Sequence, residues 1–453
     1  MGILGTVINI AVWVNWLTRI MIALTKKNGY NRFLIISAFL LPFYSASFGI
    51  AGLQISIYKM LPLALLITYL LSKNLVSIKL VLVILYFFVL TFMFYNIALD
   101  ANLFEFIISL GRAEFSAYIS PIVQGGLFLM VILQIWLVRK NASLDHLKIL
   151  SCYIYGCIIL VIIGYIQLFF YFTGTPWFEF WWLNDAVGRA VEGGLNSHAF
   201  DTGFYRMSSL GGEPRHFSAI LSLSLLIQQY LKSTGIKIRF ISSRYSILTS
   251  LFILSGMLFS MSASGILGLV VGFGIYLFFT DKVKALIITL LLVFLIFLLA
   301  ENTFVGKLLW KLSSFEMMLY AAKKDAFALQ AIVHNWGHFM FGYGMNLADL
   351  YVPDYYLIQE TPFGLQNRHD EEAPMSAAIV PTSALLQILL NGGIIGTLLV
   401  LGFFYREIRF CRRTTKYIMI SILGMTAVSS TLIFSMAIFF FAIIIQYEAK
   451  SAP

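Results

Sequence analysis

The sequence predicts an all-α membrane protein that crosses the bilayer many times. Hydrophobic residues make up 60% of its 453 residues and charged residues only 11%, and the mean hydropathy is +0.88. Because the bilayer core offers backbone N–H and C=O groups no water to bond, apolar segments cross it as helices. A soluble chain of this length would instead divide into several domains of mixed composition.

Apolar segments recur along the whole chain, and each is long enough to span, or nearly span, a bilayer. They cover residues 4–23, 33–53, 55–72, 80–97, 118–138, 149–172, 217–231, 245–261, 265–279, 285–299 and 383–405. The last apolar stretch, 417–447, exceeds the roughly 20 residues of one upright helix. Its small polar run Ser429-Ser430-Thr431 is the place where it would divide, which gives about 12 or 13 spans in all.

Basic residues gather in alternate loops, and this sets the predicted orientation. The basic loops are 26–32, 73–79, 139–148, 232–244, 282–284 and 406–416. Under the positive-inside rule these loops face the cytoplasm. The net charge of +10 therefore reflects topology, and no nucleic-acid partner is expected.

This topology divides the chain into five parts. They are an N-terminal transmembrane bundle (1–172), a first large outer loop (173–216), central transmembrane helices (217–300), a second large and partly helical outer loop (301–382), and C-terminal transmembrane helices (383–453). Loops of this length in a compact protein usually carry function. The two outer loops are therefore the places to look for a site.

The most informative stretch ends the first outer loop, where Arg206, Glu213, Arg215 and His216 precede an apolar helix. Pro214 suits the first turn of that helix, since its missing N–H would have no intrahelical partner there. The positive end of the helix dipole and two guanidiniums together favour a phosphate or pyrophosphate. The alternative is an Arg–Glu ion pair that only anchors a helix end at the interface.

Other polar and aromatic residues of the outer loops allow two interpretations each. Trp177 and Trp181 suit an interfacial aromatic belt, sugar stacking, or both. The run from Arg368 to Glu372 suits a solvated loop, or an element that binds the acceptor or takes a proton. His334 and His338 are four residues apart but lack a third ligand nearby, so no metal site is predicted.

Four short motifs, in order over about residues 200–405, resemble those of O-antigen polymerases of the Wzy type and the related O-antigen ligases. The first, Arg206-x-x-Ser-x-x-x-Glu213-Pro214, resembles R-x-x-G-x-x-x-E/N-P, with Ser209 at the glycine position. The others are the turn Ser262-Ala-Ser264-Gly265, the stretch Gly342-Tyr-Gly344 (similar to P-L-x-G-x-G) and the helix start Gln387-x-x-x-Asn391-x-Gly393-Ile-Ile-Gly396 (with its G-x-x-G).

The chain also departs from the family pattern. Lys324 stands where the relatives carry arginine, which keeps the charge but loses the bidentate fork. Thr382-Ser383 stands where the relatives often carry His-Asn, so a histidine base is absent at that point. The N-terminal half resembles the family only in its hydrophobic profile.

The resemblance implies an inverting, GT-C-like glycosyltransferase in a bacterial inner membrane, with its active site facing the periplasm. It would polymerise undecaprenyl-diphosphate-linked oligosaccharide repeat units, with one lipid-linked glycan as donor and another as acceptor. No metal and no cofactor would take part. A chain-length-regulating co-polymerase would be its protein partner.

Two kinds of catalytic residue are needed for such a reaction. Fixed cations stabilise the diphosphate that leaves, and a base accepts the proton of the attacking hydroxyl. The cations around Glu213 would depress its pKa and weaken it as a base, and its alternative role is to orient Arg206 or Arg215. The residues expected to hold the diphosphate are Arg206, Arg215 and Lys324, and the candidate bases are Glu213, His369 and His216. The residues expected to contact glycan are Trp177, Trp181 and Arg368.

Two other functions compete with polymerisation. An O-antigen-ligase-like transferase would move a finished glycan to another lipid, and the Glu213-Pro214 pair favours polymerase over ligase. A lipid-linked oligosaccharide flippase or transporter would show internal repeats and polar residues near the membrane midplane. The charge of this chain instead gathers in the two outer loops.

Overall fold

The computed structural model describes eighteen stretches of the chain. They are residues 11–20, 22, 29–43, 47–50, 53–70, 78–100, 131–135, 137–138, 144–173, 207–211, 214–235, 243–260, 262–283, 332–333, 336–345, 347, 383–428 and 431–451. Nearly all of these residues are helical, which confirms the predicted helical class. The exception within them is one short antiparallel hairpin.

The elements follow one another in a simple order along the chain. The helices are α1 (Gly29–Leu40), α2 (Ile57–Leu70), α3 (Ile78–Asp100), α4 (His146–Phe172), α5 (Pro214–Ser233), α6 (Ser243–Phe259), α7 (Ala263–Thr280), α8 (Trp336–Phe341), α9 (Ala384–Ile408), α10 (Arg413–Val428) and α11 (Thr431–Ser451). Residues 11–20 are helical as well. The hairpin consists of β1 (Ser47–Ile50) and β2 (Leu53–Ser56).

One predicted span is wrong. The apolar segment 33–53 is not a single helix, because α1 ends at Leu40 and Ser47–Ile50 is a strand whose Ile50 pairs with Leu53. Pro42 explains the end of the helix: it has no N–H to donate, and it disfavours helical geometry at the residue before it. Hydropathy alone carries no information on such a break.

Two predicted helix boundaries are confirmed. The apolar stretch 417–447 divides where the small polar run was noted, since α10 ends at Val428 and α11 begins at Thr431. Pro214 is the first residue of α5. Both boundaries follow local chemistry: serine competes for backbone hydrogen bonds, and proline is tolerated in a first helical turn.

The described residues belong to two compact units. The first draws on Met1–Asn74, Val131–Leu292 and Ile408–Pro453, and the second on Leu75–Met130 and Val293–Glu407. In the first unit α5 is the central helix, with α4, α6, α7, α10 and α11 packed around it. Most of the α5 side chains are buried, including serines and a glutamine. The second unit contains α3, α8 and most of α9.

Small residues bring the helices of the first unit close together. A methyl group added to Gly265 of α7 would lie 1.9 Å from the Ser218 Oγ of α5. Ser222, one turn further along α5, donates its hydroxyl to the Gly265 carbonyl at 2.9 Å. Such close packing through small residues is typical of helix pairs in membranes.

Two helices in the described part of the chain are long and apolar enough to cross a membrane. They are α4, over His146–Phe170 with a mean hydropathy of 2.4, and α9, with a mean hydropathy of 2.1. Shorter apolar helical stretches are Leu85–Ile97, Ser246–Phe259, Gly265–Thr280 and Phe434–Ala449. These helices suggest membrane association, and the count of about 12 or 13 spans stays a prediction.

Candidate functional site

The segment before α5 is fixed to its neighbours by backbone contacts. Met207 is fully buried, and its N–H donates to the Phe259 carbonyl at the end of α6 at 3.0 Å. Its side chain lies on Gly164 of α4, where an added methyl group would come within 2.5 Å of the Met207 Sδ. The chain next to the predicted diphosphate-binding Arg206 is therefore held in place on two helices.

Gln167 of α4 clamps the next two residues of this segment. Its Oε1 accepts the N–H of Ser209 at 2.8 Å and the N–H of Ser208 at 3.3 Å. Gln167 is buried, at 6% exposure, in an otherwise apolar helix. A buried amide is stable there because its polar atoms find partners in the backbone of the docked segment.

Ser209 occupies a backbone conformation that glycine normally adopts. Its φ is +51°, in the left-handed region. That conformation costs a non-glycine residue roughly 1–2 kcal/mol. The Ser209 hydroxyl offsets part of this cost, because it donates to the Leu160 carbonyl of α4 at 2.6 Å. The serine therefore keeps a glycine-like turn and adds an anchor to α4.

Arg215 and His216 follow Pro214 in the first turn of α5. The Arg215 side chain is half-buried, whereas His216 is buried with 5% exposure. Tyr153 of α4 ties the same helix a turn further on, since its hydroxyl donates to the Ile220 carbonyl at 3.0 Å. The first turn of α5 therefore carries a half-buried guanidinium and a buried imidazole, on a helix that α4 holds in place.

The second unit contains a break in α9 at Gly393. The backbone there has φ 63° and ψ −166°, so the helical path is interrupted inside Ala384–Ile408. Carbonyls that precede such a break lose the donors they would have in a continuous helix. Three consecutive carbonyls, those of Leu390, Asn391 and Gly392, find donors elsewhere.

These donors come from the Gly342-Tyr343-Gly344 turn and from α3. The N–H of Tyr343 donates to the Leu390 carbonyl at 2.7 Å, and the N–H of Gly344 donates to the Asn391 carbonyl at 3.1 Å. The Tyr86 hydroxyl of α3 donates to the Gly392 carbonyl at 2.9 Å. We refer to this contact between residues 342–344 and 390–393 as the glycine interlock.

The glycine interlock leaves no room for side chains at its centre. A methyl group at Gly342 would lie 2.6 Å from the backbone nitrogens of Gly392 and Gly393. One at Gly393 would lie 2.3 Å from the Met340 carbonyl oxygen. Gly342 also has a φ of +78°, which other residues rarely adopt. Both glycines are therefore required by the contact.

His338 contacts the Gly342-Tyr343-Gly344 turn through a hydrogen bond and through ring stacking. Its Nδ1 lies 2.9 Å from the Gly342 carbonyl oxygen, so this nitrogen carries the proton and donates. The ring stacks on Tyr343, with centroids 3.9 Å apart, and also contacts Phe94 of α3. Burial lowers the pKa of His338 below its usual value, and the bond to Gly342 offsets part of that shift.

No protein-family model, no curated protein and no solved structure matches the chain.

Most of the predicted site residues lie outside the part of the chain that the structure describes. These are Arg206, Glu213, Lys324, His369, Trp177, Trp181 and Arg368. Arg215 and His216 are described, and they are neighbours on one turn of α5. The described residues include no group of three or more His, Cys, Asp or Glu side chains that could hold a metal ion.

The sequence did not single out Gln167, Tyr86 or the supporting contact of His338. The sequence signal for Gln167 was a lone amide inside an apolar segment, which points to a buried polar partner. Tyr86 gave no signal, because a tyrosine in an apolar helix is unremarkable in composition. His338 was considered only as a metal ligand, whereas its Nδ1 bonds a backbone carbonyl.

Proposed function

We propose that the chain is a membrane-embedded glycosyltransferase that polymerises undecaprenyl-diphosphate-linked oligosaccharide repeat units on the outer face of a bacterial inner membrane. The observation that carries the proposal concerns backbone geometry. Within the described residues, positive φ occurs at Ser209, Gly235, Gly342, Gly344 and Gly393. All of these except Gly235 fall at glycine positions of the O-antigen polymerase motifs. The resemblance thus coincides with the places where the backbone needs a glycine-like conformation.

The surface of the helices supports a membrane location. The large apolar side chains of α3 at 85, 88, 89, 92 and 93 are exposed and recur at helical spacing, so they form one apolar face. Ile159, Ile162 and Ile166 of α4 form another. Soluble proteins rarely expose contiguous apolar faces, whereas lipid-facing helices require them. Polar side chains such as Gln167 and Ser222 are buried instead.

The proposed reaction transfers the growing glycan from its diphosphate carrier to an incoming unit. The acceptor hydroxyl oxygen bonds the anomeric carbon of the donor, and the bond between that carbon and the diphosphate oxygen breaks with inversion. Undecaprenyl diphosphate leaves with the bonding electrons, and a base takes the hydroxyl proton. Arg206, Arg215 and Lys324 are proposed to stabilise the charge that develops on the diphosphate.

The base is assigned to one of three residues, Glu213, His216 or His369. A base must reach the acceptor hydroxyl directly or through one water molecule. Replacing each with glutamine keeps a polar side chain of similar size and removes a readily titratable group. Loss of polymer synthesis in His216→Gln or His369→Gln, with normal membrane insertion, would identify that histidine as the base. An inactive Glu213→Gln would fit either a base or a residue that orients an arginine.

The proposal is tested in cells that lack the native gene and express variants from a plasmid. The Arg206→Ala and Arg215→Ala variants are expected to insert into the membrane but to make no long glycan chains. Gel electrophoresis of the extracted glycan shows this, because chains of increasing length appear as a ladder of bands. Lys232→Ala, which removes an exposed cation from the other end of α5, is the matched control and should keep normal ladders.

Three outcomes would contradict the proposal. Normal ladders from Arg206→Ala and Arg215→Ala would remove the diphosphate assignment. Full-length chains that accumulate on the carrier in the deletion strain would indicate a ligase. Single repeat units that accumulate on the cytoplasmic side would indicate a flippase.

A further inference from the structure

We propose that the ends of α7 and α10 form a binding site for the headgroup of an anionic phospholipid in the inner leaflet. The site consists of Phe278, Phe279 and Lys282 at the end of α7 and of Arg413 and Tyr417 at the start of α10. It rests on the proposed membrane location of these helices but not on polymerisation. It lies in the first unit alone.

Helix packing brings these five residues to one end of a helix pair. An added methyl group on Gly272 of α7 would meet Ser421 and Met425 of α10, and one on Gly424 would meet Ile275. The contacts run antiparallel, so the last turn of α7 meets the first turn of α10. Small residues allow this close approach.

The aromatic rings make a rigid platform at that end. Phe279 and Tyr417 stack with centroids 4.9 Å apart and planes only 11° from parallel. Phe279 remains 43% exposed and Phe278 56% exposed. Tyrosine, which has a polar hydroxyl on an apolar ring, is enriched at the level of lipid headgroups, and Tyr417 is such a residue.

Two exposed cations lie on this platform. The Arg413 Nε donates to the Tyr417 hydroxyl, and its guanidinium lies 5.7 Å from the Tyr417 ring centroid. The Lys282 Nζ lies 5.7 Å from the Phe278 ring centroid. Tyr417 thus restricts the Arg413 guanidinium, whose other N–H groups can still donate to a ligand. The fork of these N–H groups matches the geometry of two phosphate oxygens.

Two carboxylates, those of Glu448 and Asp281, lie near the same end of this helix pair. Glu448 accepts from the Arg412 N–H and from the Thr415 hydroxyl, so its oxygens are already engaged within the first unit. Asp281 is half-buried at the end of α7, and it is the acidic residue adjacent to Lys282. The charge complementarity and the apolar rings together fit a lipid whose headgroup carries a phosphate and whose chains lie along the helices.

The experiment uses the full chain, purified in a neutral detergent, with dioleoylphosphatidylglycerol and dioleoylphosphatidylcholine as probes. Native mass spectrometry counts the lipids retained. Phosphatidylglycerol is expected to be retained preferentially, and Lys282→Gln and Arg413→Gln should each lower its apparent affinity about fivefold. Lys232→Gln, an exposed cation of the same predicted cytoplasmic side, is the matched control and should leave retention unchanged.

A further variant separates the platform from the charge. Tyr417→Phe keeps the ring that stacks on Phe279 but removes the hydroxyl that holds Arg413, so a smaller loss than with Arg413→Gln is expected. Equal retention of the two lipids by the unchanged protein would overturn the proposal. So would an equal loss with Lys232→Gln, which would indicate general charge attraction. Neither outcome would affect the ladders that test polymerisation.

Discussion

The backbone N–H of Tyr343 donates to the carbonyl oxygen of Leu390 at 2.7 Å, next to the break in α9 at Gly393. The bond joins two stretches that the sequence related only through a family resemblance. Inside a bilayer or at its edge, a carbonyl without a donor is costly. The pairing therefore explains how α9 can be interrupted at Gly393 and remain stable.

Substitution within the glycine interlock should destabilise the protein. Gly342→Ala and Gly393→Ala force a methyl group against backbone atoms and impose a positive φ on alanine, at a cost of about 1–3 kcal/mol each. Gly402→Ala is the matched control on α9, because nothing lies within 4 Å of a methyl group at that position. It should be neutral or slightly stabilising, since alanine favours helices.

Thermal unfolding in detergent, followed by circular dichroism, measures the difference. The three variants should rank with Gly402→Ala highest and both interlock variants clearly below the unchanged protein. Equal melting temperatures for all three would show that the contact between residues 342–344 and 390–393 is not formed in solution.

Ser209 offers a test of the left-handed turn before α5. Ser209→Ala loses the hydrogen bond to Leu160 but keeps the unfavourable φ, whereas Ser209→Gly loses the same bond and relieves the φ. The glycine variant should therefore be more stable than the alanine variant by about 1 kcal/mol. Denaturant or thermal unfolding of both variants checks the order, and a more stable alanine variant would contradict the assigned backbone conformation.

His338 should make stability depend on pH. Because burial lowers its pKa in the folded state, the unfolded histidine binds a proton at higher pH than the folded one. Its stabilising contribution is complete above the ordinary histidine pKa of about 6.5 and is lost as the pH falls from there to the lower folded value. The loss should stay below about 1 kcal/mol, because the ring is only half-buried and solvent screens it.

The measurement compares melting temperatures at pH 7.5 and pH 5.5 for the unchanged protein and for His338→Phe. The phenylalanine keeps the stacking on Tyr343 but cannot titrate. The difference between the two pH values should shrink in this variant. A slope that persists unchanged in His338→Phe would assign the pH dependence to other groups.

Glu448 should matter more than the cation beside it. Its oxygens accept hydrogen bonds from the backbone N–H of Arg412 at 3.1 Å and from the buried Thr415 hydroxyl at 3.0 Å, at the start of α10. Glu448→Ala leaves the hydroxyl without this acceptor and removes the cap, at a cost of about 1–3 kcal/mol. Arg412→Gln removes only an exposed side chain whose Nε is 3.8 Å from the carboxylate, which is worth less than about 1 kcal/mol.

Unfolding curves of Glu448→Ala and Arg412→Gln distinguish the two contributions. An equal loss in both variants would mean that the ion pair, rather than the backbone cap, holds the start of α10.

The positions of most described helices were predictable, because each needs one long apolar stretch and the hydropathy of the chain marks it. The predicted segment 149–172 became α4 (His146–Phe172), and 265–279 became α7 (Ala263–Thr280). The prediction of one helix over 33–53 was wrong because hydropathy does not register the helix-breaking effect of Pro42. A short apolar run can also form a strand as readily as a helix.

The candidate site was predictable only in parts. Pro214 as the first helical residue follows from local backbone chemistry. The positions with glycine-like geometry were marked only by the family motifs. The clamp of Gln167 on Ser209 joins residues 42 apart in the chain, and nothing in the spacing of the two predicts that they meet. The same holds for Tyr86 and Gly392, because the direction in which a side chain leaves an apolar helix depends on its neighbours.

The bond from Tyr86 to Gly392 also has a consequence for biosynthesis. Tyr86 leaves the ribosome 306 residues ahead of its acceptor, and the Gly342 turn is also made before the helix it joins. The break in α9 can therefore close its backbone bonds only after nearly the whole of this unit has been translated and inserted. Until residues 390–393 have emerged, the Tyr86 hydroxyl and the N–H groups of Tyr343 and Gly344 have to bond to other acceptors.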